Sequence, residues 1–116
     1  MRADMATAAL VMKSLEDRVG ALQLKMRLAE LRDLASITYL ETTRKNFGIA
    51  QQTSSQFFTA AAELAAETME GELKSRLEAI VAERDKVTAS LAKADASSQE
   101  ATLRLLTRSH ENLGRK

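Results

Sequence analysis

The sequence predicts an all-α protein: a long N-terminal helix with a coiled-coil-like seam, followed by two shorter helices folded back as a helical hairpin or small bundle. Three observations carry this expectation. An apolar stripe keeps helical phase from Tyr39 to Met69, with Leu40, Phe47, Ala50, Phe57, Phe58, Ala61, Leu64 and Ala65 on one side of the wheel and Lys45, Gln52, Gln56, Glu63 and Glu67 opposite. The 116 residues contain no proline, and Ala, Leu, Glu, Lys and Arg, the strong helix formers, dominate them. Strand signals are absent, and aromatic residues are few: three Phe, one Tyr and no Trp.

In the N-terminal third, Ala8, Met12, Leu15, Val19, Leu22, Met26 and Ala29 follow one another at alternating spacings of four and three, a seam of about three heptads. A second row, Leu24, Leu28, Leu31 and Ala35, lies almost opposite on the wheel, so this helix has apolar surface on two sides. Gly48, after Asn46 and Phe47, is the first interruption, because glycine inside a helix costs about 1 kcal/mol relative to alanine. Leu40 and Phe47 nevertheless stay in phase with Ala50 and Phe57. We therefore expect one helix from about residue 5 to 68, kinked at most near Gly48, with a turn at Asn46–Gly48 as the alternative.

Around Thr68–Glu72 the stripe changes phase. Gly71 suits a turn, and Glu70 and Glu72 suit the start of a new helix, whose apolar face is Leu73, Leu77, Ile80, Val87 and Leu91. Ser97-Ser98-Gln99-Glu100 has the capping-box form and predicts the start of the last helix, with Leu103, Leu106, His110 and Leu113 on its inner face and Gly114-Arg115-Lys116 fraying. The chain thus divides into an N-terminal helical or coiled-coil arm (1–38), an antiparallel helical-bundle region (39–113) and a tail (114–116).

Length then limits what can cover what. At 1.5 Å per residue the first helix would extend roughly 95 Å, against about 33 Å for residues 72–93 and about 25 Å for 97–113. The later helices fall short of the N-terminal seam, which calls for a second copy of the chain or another protein's helix. A turn at Asn46–Gly48 would instead permit an intramolecular four-helix bundle.

Charge and chemistry exclude several classes. The net charge is +1, with Lys and Arg against Asp and Glu at eight to six over residues 1–48, five to nine over 49–100 and four to one over 101–116. Such interspersed signs mark a solvated helical surface, and we expect no nucleic-acid partner. The basic residues of the last helix, Arg104, Arg108, Arg115 and Lys116, suit a helix C-terminus without invoking a ligand. There is no cysteine, hence no disulfide and no thiolate chemistry. His110 is the only histidine and reads as a packing residue. Glu63, Glu67 and Glu70 share helical spacing without the Glu-x-x-His pairs of a di-metal bundle, so they read as a polar face. Arg84 reads as a packed stem with its guanidinium at the bundle edge, and Gln51 to Gln56 as a mid-helix polar run. No catalytic, metal or cofactor-binding residues are expected.

The sequence points to a non-enzymatic helical interaction module, an adaptor, scaffold or structural accessory that self-associates through its N-terminal helix as a dimer or higher oligomer. The residues assigned to this role are Met12, Leu15, Val19, Leu22 and Met26, with Leu24, Leu28 and Leu31 behind them. The alternative is a ligand-binding or sensory helical bundle with its pocket at Phe47, Phe57 and Phe58. A third reading is reversible membrane-surface binding through Met5, Leu10, Val11 and Met12 with Arg2 and Lys13, which Asp4, Glu16 and Asp17 disfavour. No stretch reaches the roughly 20 apolar residues of a membrane span, and Met5–Met12 is too weak for a signal core. We expect a soluble, cytoplasmic protein, a removed targeting segment being the alternative.

Overall fold

The computed structural model describes residues 2–69 and 71–113, all in helices and short turns. The five helices are α1 (Arg2–Thr43), α2 (Phe47–Glu67), α3 (Glu72–Val81), α4 (Arg84–Lys93) and α5 (Ala96–Leu113). Glu70, the 114–116 tail and the side chains of Arg2 and Asp4, all used in the sequence analysis, lie outside the described residues.

The expected continuous helix over 5–68 is not formed. α1 stops at Thr43, and the chain reverses through Arg44, Lys45 and Asn46. The Asn46 N–H donates to Glu41 O at 2.8 Å and the Lys45 N–H to Thr42 O at 3.0 Å, the paired bonds of a Schellman stop, with Lys45 at φ +64 in the left-handed position that glycine usually takes. The Asn46 side-chain amide adds a bond to the Glu41 carboxylate at 2.8 Å. Gly48, the residue that seemed to mark the break, sits inside α2. The phase match between Leu40 and Phe47 is therefore coincidental, and Leu40 is left 45% exposed.

Reversal makes an up-down-up-down bundle. Thr38 meets Thr53 and Arg27 meets Glu67, so α2 runs antiparallel to α1. Lys74 reaches Ala65 O at 2.8 Å and Arg84 reaches Thr59, so α3 and α4 run back along α2. Arg108 meets Glu83 at 2.8 Å, and the Arg32 guanidinium donates to Leu113 O at 2.7 Å, which places α5 antiparallel to both α4 and α1. α3 and α4 together fill one corner of the four-helix arrangement. The single second helix expected over 72–93 is interrupted at Ala82 and Glu83, where the Glu83 N–H bonds to Ile80 O and tightens the turn without rotating the buried face. Leu77, Ile80, Val87 and Leu91 are all buried, as their spacing predicts.

The core joins Leu31 and Ala35 of α1 to Ala50, Phe57, Phe58, Ala61, Leu64 and Ala65 of α2. Leu77 and Ile80 of α3, Val87 and Leu91 of α4, and Leu105 and Leu113 of α5 complete it. Phe57 and Phe58 are adjacent in sequence and both buried, their rings edge-to-face with centroids 5.0 Å apart and planes at 89°. Met69, placed on the stripe by periodicity, falls in the turn after α2 and is 88% exposed. Gly71, at φ +151, supplies the expected turn conformation, which L side chains avoid.

α5 turns a different face inward than its leucines predict. Ser98, Thr102, Leu105, Ser109 and Leu113 are buried, whereas Leu103 and His110 are exposed and Leu106 is half-buried. Two of the small hydroxyl residues at this interface are satisfied by backbone carbonyls: Thr102 Oγ1 donates to Ser98 O one turn back at 2.8 Å, and the Ser98 hydroxyl donates to Ser90 O on α4. The expected Ser97–Glu100 capping box is also absent. Asp95 takes the role instead, its carboxylate accepting from the Ser97 N–H at 2.8 Å and from the Ser97 hydroxyl.

Three outcomes follow from this packing. Phe57→Ala should cost about 3–5 kcal/mol in urea unfolding, because a filled aromatic site would be left open. Lys45→Gly should raise stability by about 0.5–1 kcal/mol by relieving the left-handed conformation, and an unchanged or lower midpoint would show that the reversal is not built as described. The bonds from the Ser97 side chain and then its backbone hold the Asp95 carboxyl below its ordinary 3.8. A lowered folded-state pKa adds stability that is present above the unfolded value and lost as pH falls through the folded one. The stability gap between the unmodified chain and Asp95→Ala should therefore be widest above about pH 4 and narrow on further acidification.

Candidate interaction surface

α1 is twice as long as any element that packs on it. Its 42 residues rise about 63 Å, while the 21 residues of α2 rise about 32 Å. The molecule measures 69 × 24 × 20 Å, so a slender arm extends from the bundle. The turn after Thr43 thus produces a four-helix bundle without covering the N-terminal seam, because α2 and α5 run out near Leu24. From Met5 to Gln23 every residue is exposed.

The two apolar rows of α1 meet different fates. Leu31 is 1% exposed, Ala35 is fully covered, and Leu24 and Leu28 are half-buried against the core. This second row, assigned to an interaction seam from sequence, is occupied by the chain's own helices, and the bundle takes in α1 from Leu24 onward. The first row stays open: Met12, Leu15, Val19, Leu22 and Met26 are between 51% and 64% exposed, with Met5 and Val11 exposed beside them. Monomeric proteins seldom expose so continuous an apolar strip.

The arm's continuous apolar row lies on one side, Leu10 being the only large apolar residue of 5–23 that faces the other. Continuing the buried row toward the N-terminus by steps of three and four leads from Leu24 to Gly20, Asp17 and Lys13, which would not extend the bundle core. Where the arm leaves the bundle, Arg27 and Glu67 form an ion pair that ties it to the end of α2. The pair is largely solvated and its energetic weight is small; the arm's direction follows from the continuity of α1, which runs unbroken from the bundle into the arm.

The remaining sequence candidates are placed as follows. Phe57 and Phe58 are buried within the core, while Phe47 is half-buried on the wall of an open cleft with Thr42, Lys45, Asp95 and Gln99 at the far end of the bundle. Arg84 is exposed at the start of α4, 3.5 Å from the Thr59 hydroxyl. Glu63 and Glu67 are exposed, and among the described residues no three His, Cys, Asp or Glu side chains gather as a metal site. Within the polar run Ser54 is buried, and its hydroxyl and that of Ser109 have no hydrogen-bond partner among the described residues. No described helix is long and apolar enough to cross a membrane. Comparison with protein-family models, with curated proteins and with solved structures finds no match to this chain.

Proposed function

We propose that this chain is a non-enzymatic helical interaction module, an adaptor, scaffold or structural accessory, which self-associates through the outer face of the α1 arm. The observation that supports this reading is the open row Met12, Leu15, Val19, Leu22 and Met26, held in coiled-coil spacing on a face of α1 that the chain's own helices leave exposed. Fully burying a Leu, Val or Met side chain contributes roughly 1.5–3 kcal/mol, so pairing two such rows contributes enough to offset the loss of translational freedom on association. The bundle then acts as a compact head that fixes one end of the arm.

Size-exclusion chromatography with light scattering over a tenfold concentration range tests the proposal. A mass of two chains or more is expected, and Leu22→Glu with Met26→Glu should return it to one chain with thermal unfolding of the bundle unchanged, since both residues lie outside the core. A one-chain mass for the unmodified protein, or an oligomer indifferent to the double substitution, would overturn it.

A further inference from the structure

Resting on that self-association, the charges beside the open row specify the partner and its direction. Numbered as heptads, the row places Met5, Met12, Val19 and Met26 at the a positions and Ala8, Leu15, Leu22 and Ala29 at the d positions. The flanking e positions are then Ala9, Glu16, Gln23 and Glu30, and the g positions are Val11, Arg18, Lys25 and Arg32. Within residues 9–32 every charged residue on the e flank is acidic and every charged residue on the g flank is basic. Glu16, Arg18, Lys25 and Glu30 are exposed and take part in no ion pair or side-chain hydrogen bond among the described residues, whereas Arg32 is already used on Leu113 O.

We infer that the arm pairs with a second copy of itself in parallel and in register, forming a two-stranded coiled coil with both bundles at the same end. In a parallel pair each g residue faces the e residue five positions on in the other helix, which sets Lys25 against Glu30 and Arg18 against Gln23, each twice by symmetry. An antiparallel pair brings g against g and e against e, so among residues 9–32 no alignment sets a basic residue against an acidic one across a flank, and any charges that do meet have the same sign. The seam itself favours two strands, with β-branched Val19 at a followed by Leu22 at d. Asp33, at the next a position, ends it where the bundle begins: two such carboxylates facing each other part the helices there. The bundles lie on the side of α1 away from the seam, where Leu31 and Ala35 are buried, so the two heads sit on the outside of the pair.

Because the chain has no cysteine, orientation is read directly from Met12→Cys and Met26→Cys, made separately and oxidised. In a parallel, in-register pair each residue sits beside its own counterpart within disulfide reach, and both variants should form covalent dimers. The two positions are about 21 Å apart along the helix, so an antiparallel pair can bring at most one of them to its counterpart. Lys25→Glu gives a second readout of opposite sign for the two arrangements. It should weaken a parallel dimer about fivefold or more by facing Glu30 with another carboxylate, and it would tighten an antiparallel one by removing a like-charge contact. Covalent dimers from both cysteine variants together with weakening by Lys25→Glu support the inference. A two-chain mass with only one or neither variant linking, or with tightening by Lys25→Glu, overturns the parallel arrangement and leaves self-association standing. A one-chain mass for the unmodified protein overturns both.

Discussion

The burial of Phe57 and Phe58 is the interaction on which the architecture depends. They are two of only four aromatic residues, they are consecutive in sequence, and both are removed from solvent. Neighbouring residues on a helix point about 100° apart, so a single partner helix cannot cover both rings. One neighbour must come from the α1 side, where Leu31 and Ala35 lie, and another from the α3–α4 side, where Leu77, Ile80 and Val87 lie. A straight helix through residues 39–69 would have carried α1 away from α2 and left the side that Leu31 and Ala35 now cover open, and the reversal at Thr43–Asn46 is what brings α2 between its two covers. Its backbone bonds outweigh the conformational cost of a lysine in the left-handed region, because without the turn the core is not assembled.

From that reversal follows the division of α1 into a half that belongs to the bundle and a half that does not. The same helix carries an inner row that the bundle consumes and an outer row that it does not touch, and the change from Leu24 and Leu28 to Gly20, Asp17 and Lys13 on the inner side marks where one role gives way to the other. The structural and the interacting surfaces are thus segregated by face as well as by length. This segregation supports the proposal that the outer row pairs with a second copy of the chain without disturbing the core.

Hydroxyl residues do much of the joining between helices. Thr38 and Thr53 share a hydrogen bond of 2.7 Å across α1 and α2 while the Thr38 hydroxyl also donates to Leu34 O within α1, and the Ser98 hydroxyl of α5 donates to Ser90 O of α4. Such residues carry little apolar area, so their burial adds directionality more than hydrophobic stabilisation. They explain why the inner face of α5 was misread from its leucines: Ser98, Thr102 and Ser109 count as polar in a periodicity search, yet each is covered, and the helix is rotated so that Leu103 points outward.

Fold class, the open N-terminal seam, the turn at Gly71 and the buried face of Leu77, Ile80, Val87 and Leu91 were legible in the sequence, because each rests on local periodicity or on one residue's backbone preference. The reversal at Lys45, the bend at Ala82–Glu83, the rotation of α5 and the separation of Leu31 from the open row were decided only by tertiary structure. In each of those cases a local preference was outweighed by packing. Lysine has no bias toward the left-handed region and serines have no bias toward a core, and both are placed where they are by apolar residues far away in the chain. Local pattern reports which side of a helix seeks cover; only the folded chain decides which of those sides it can cover for itself.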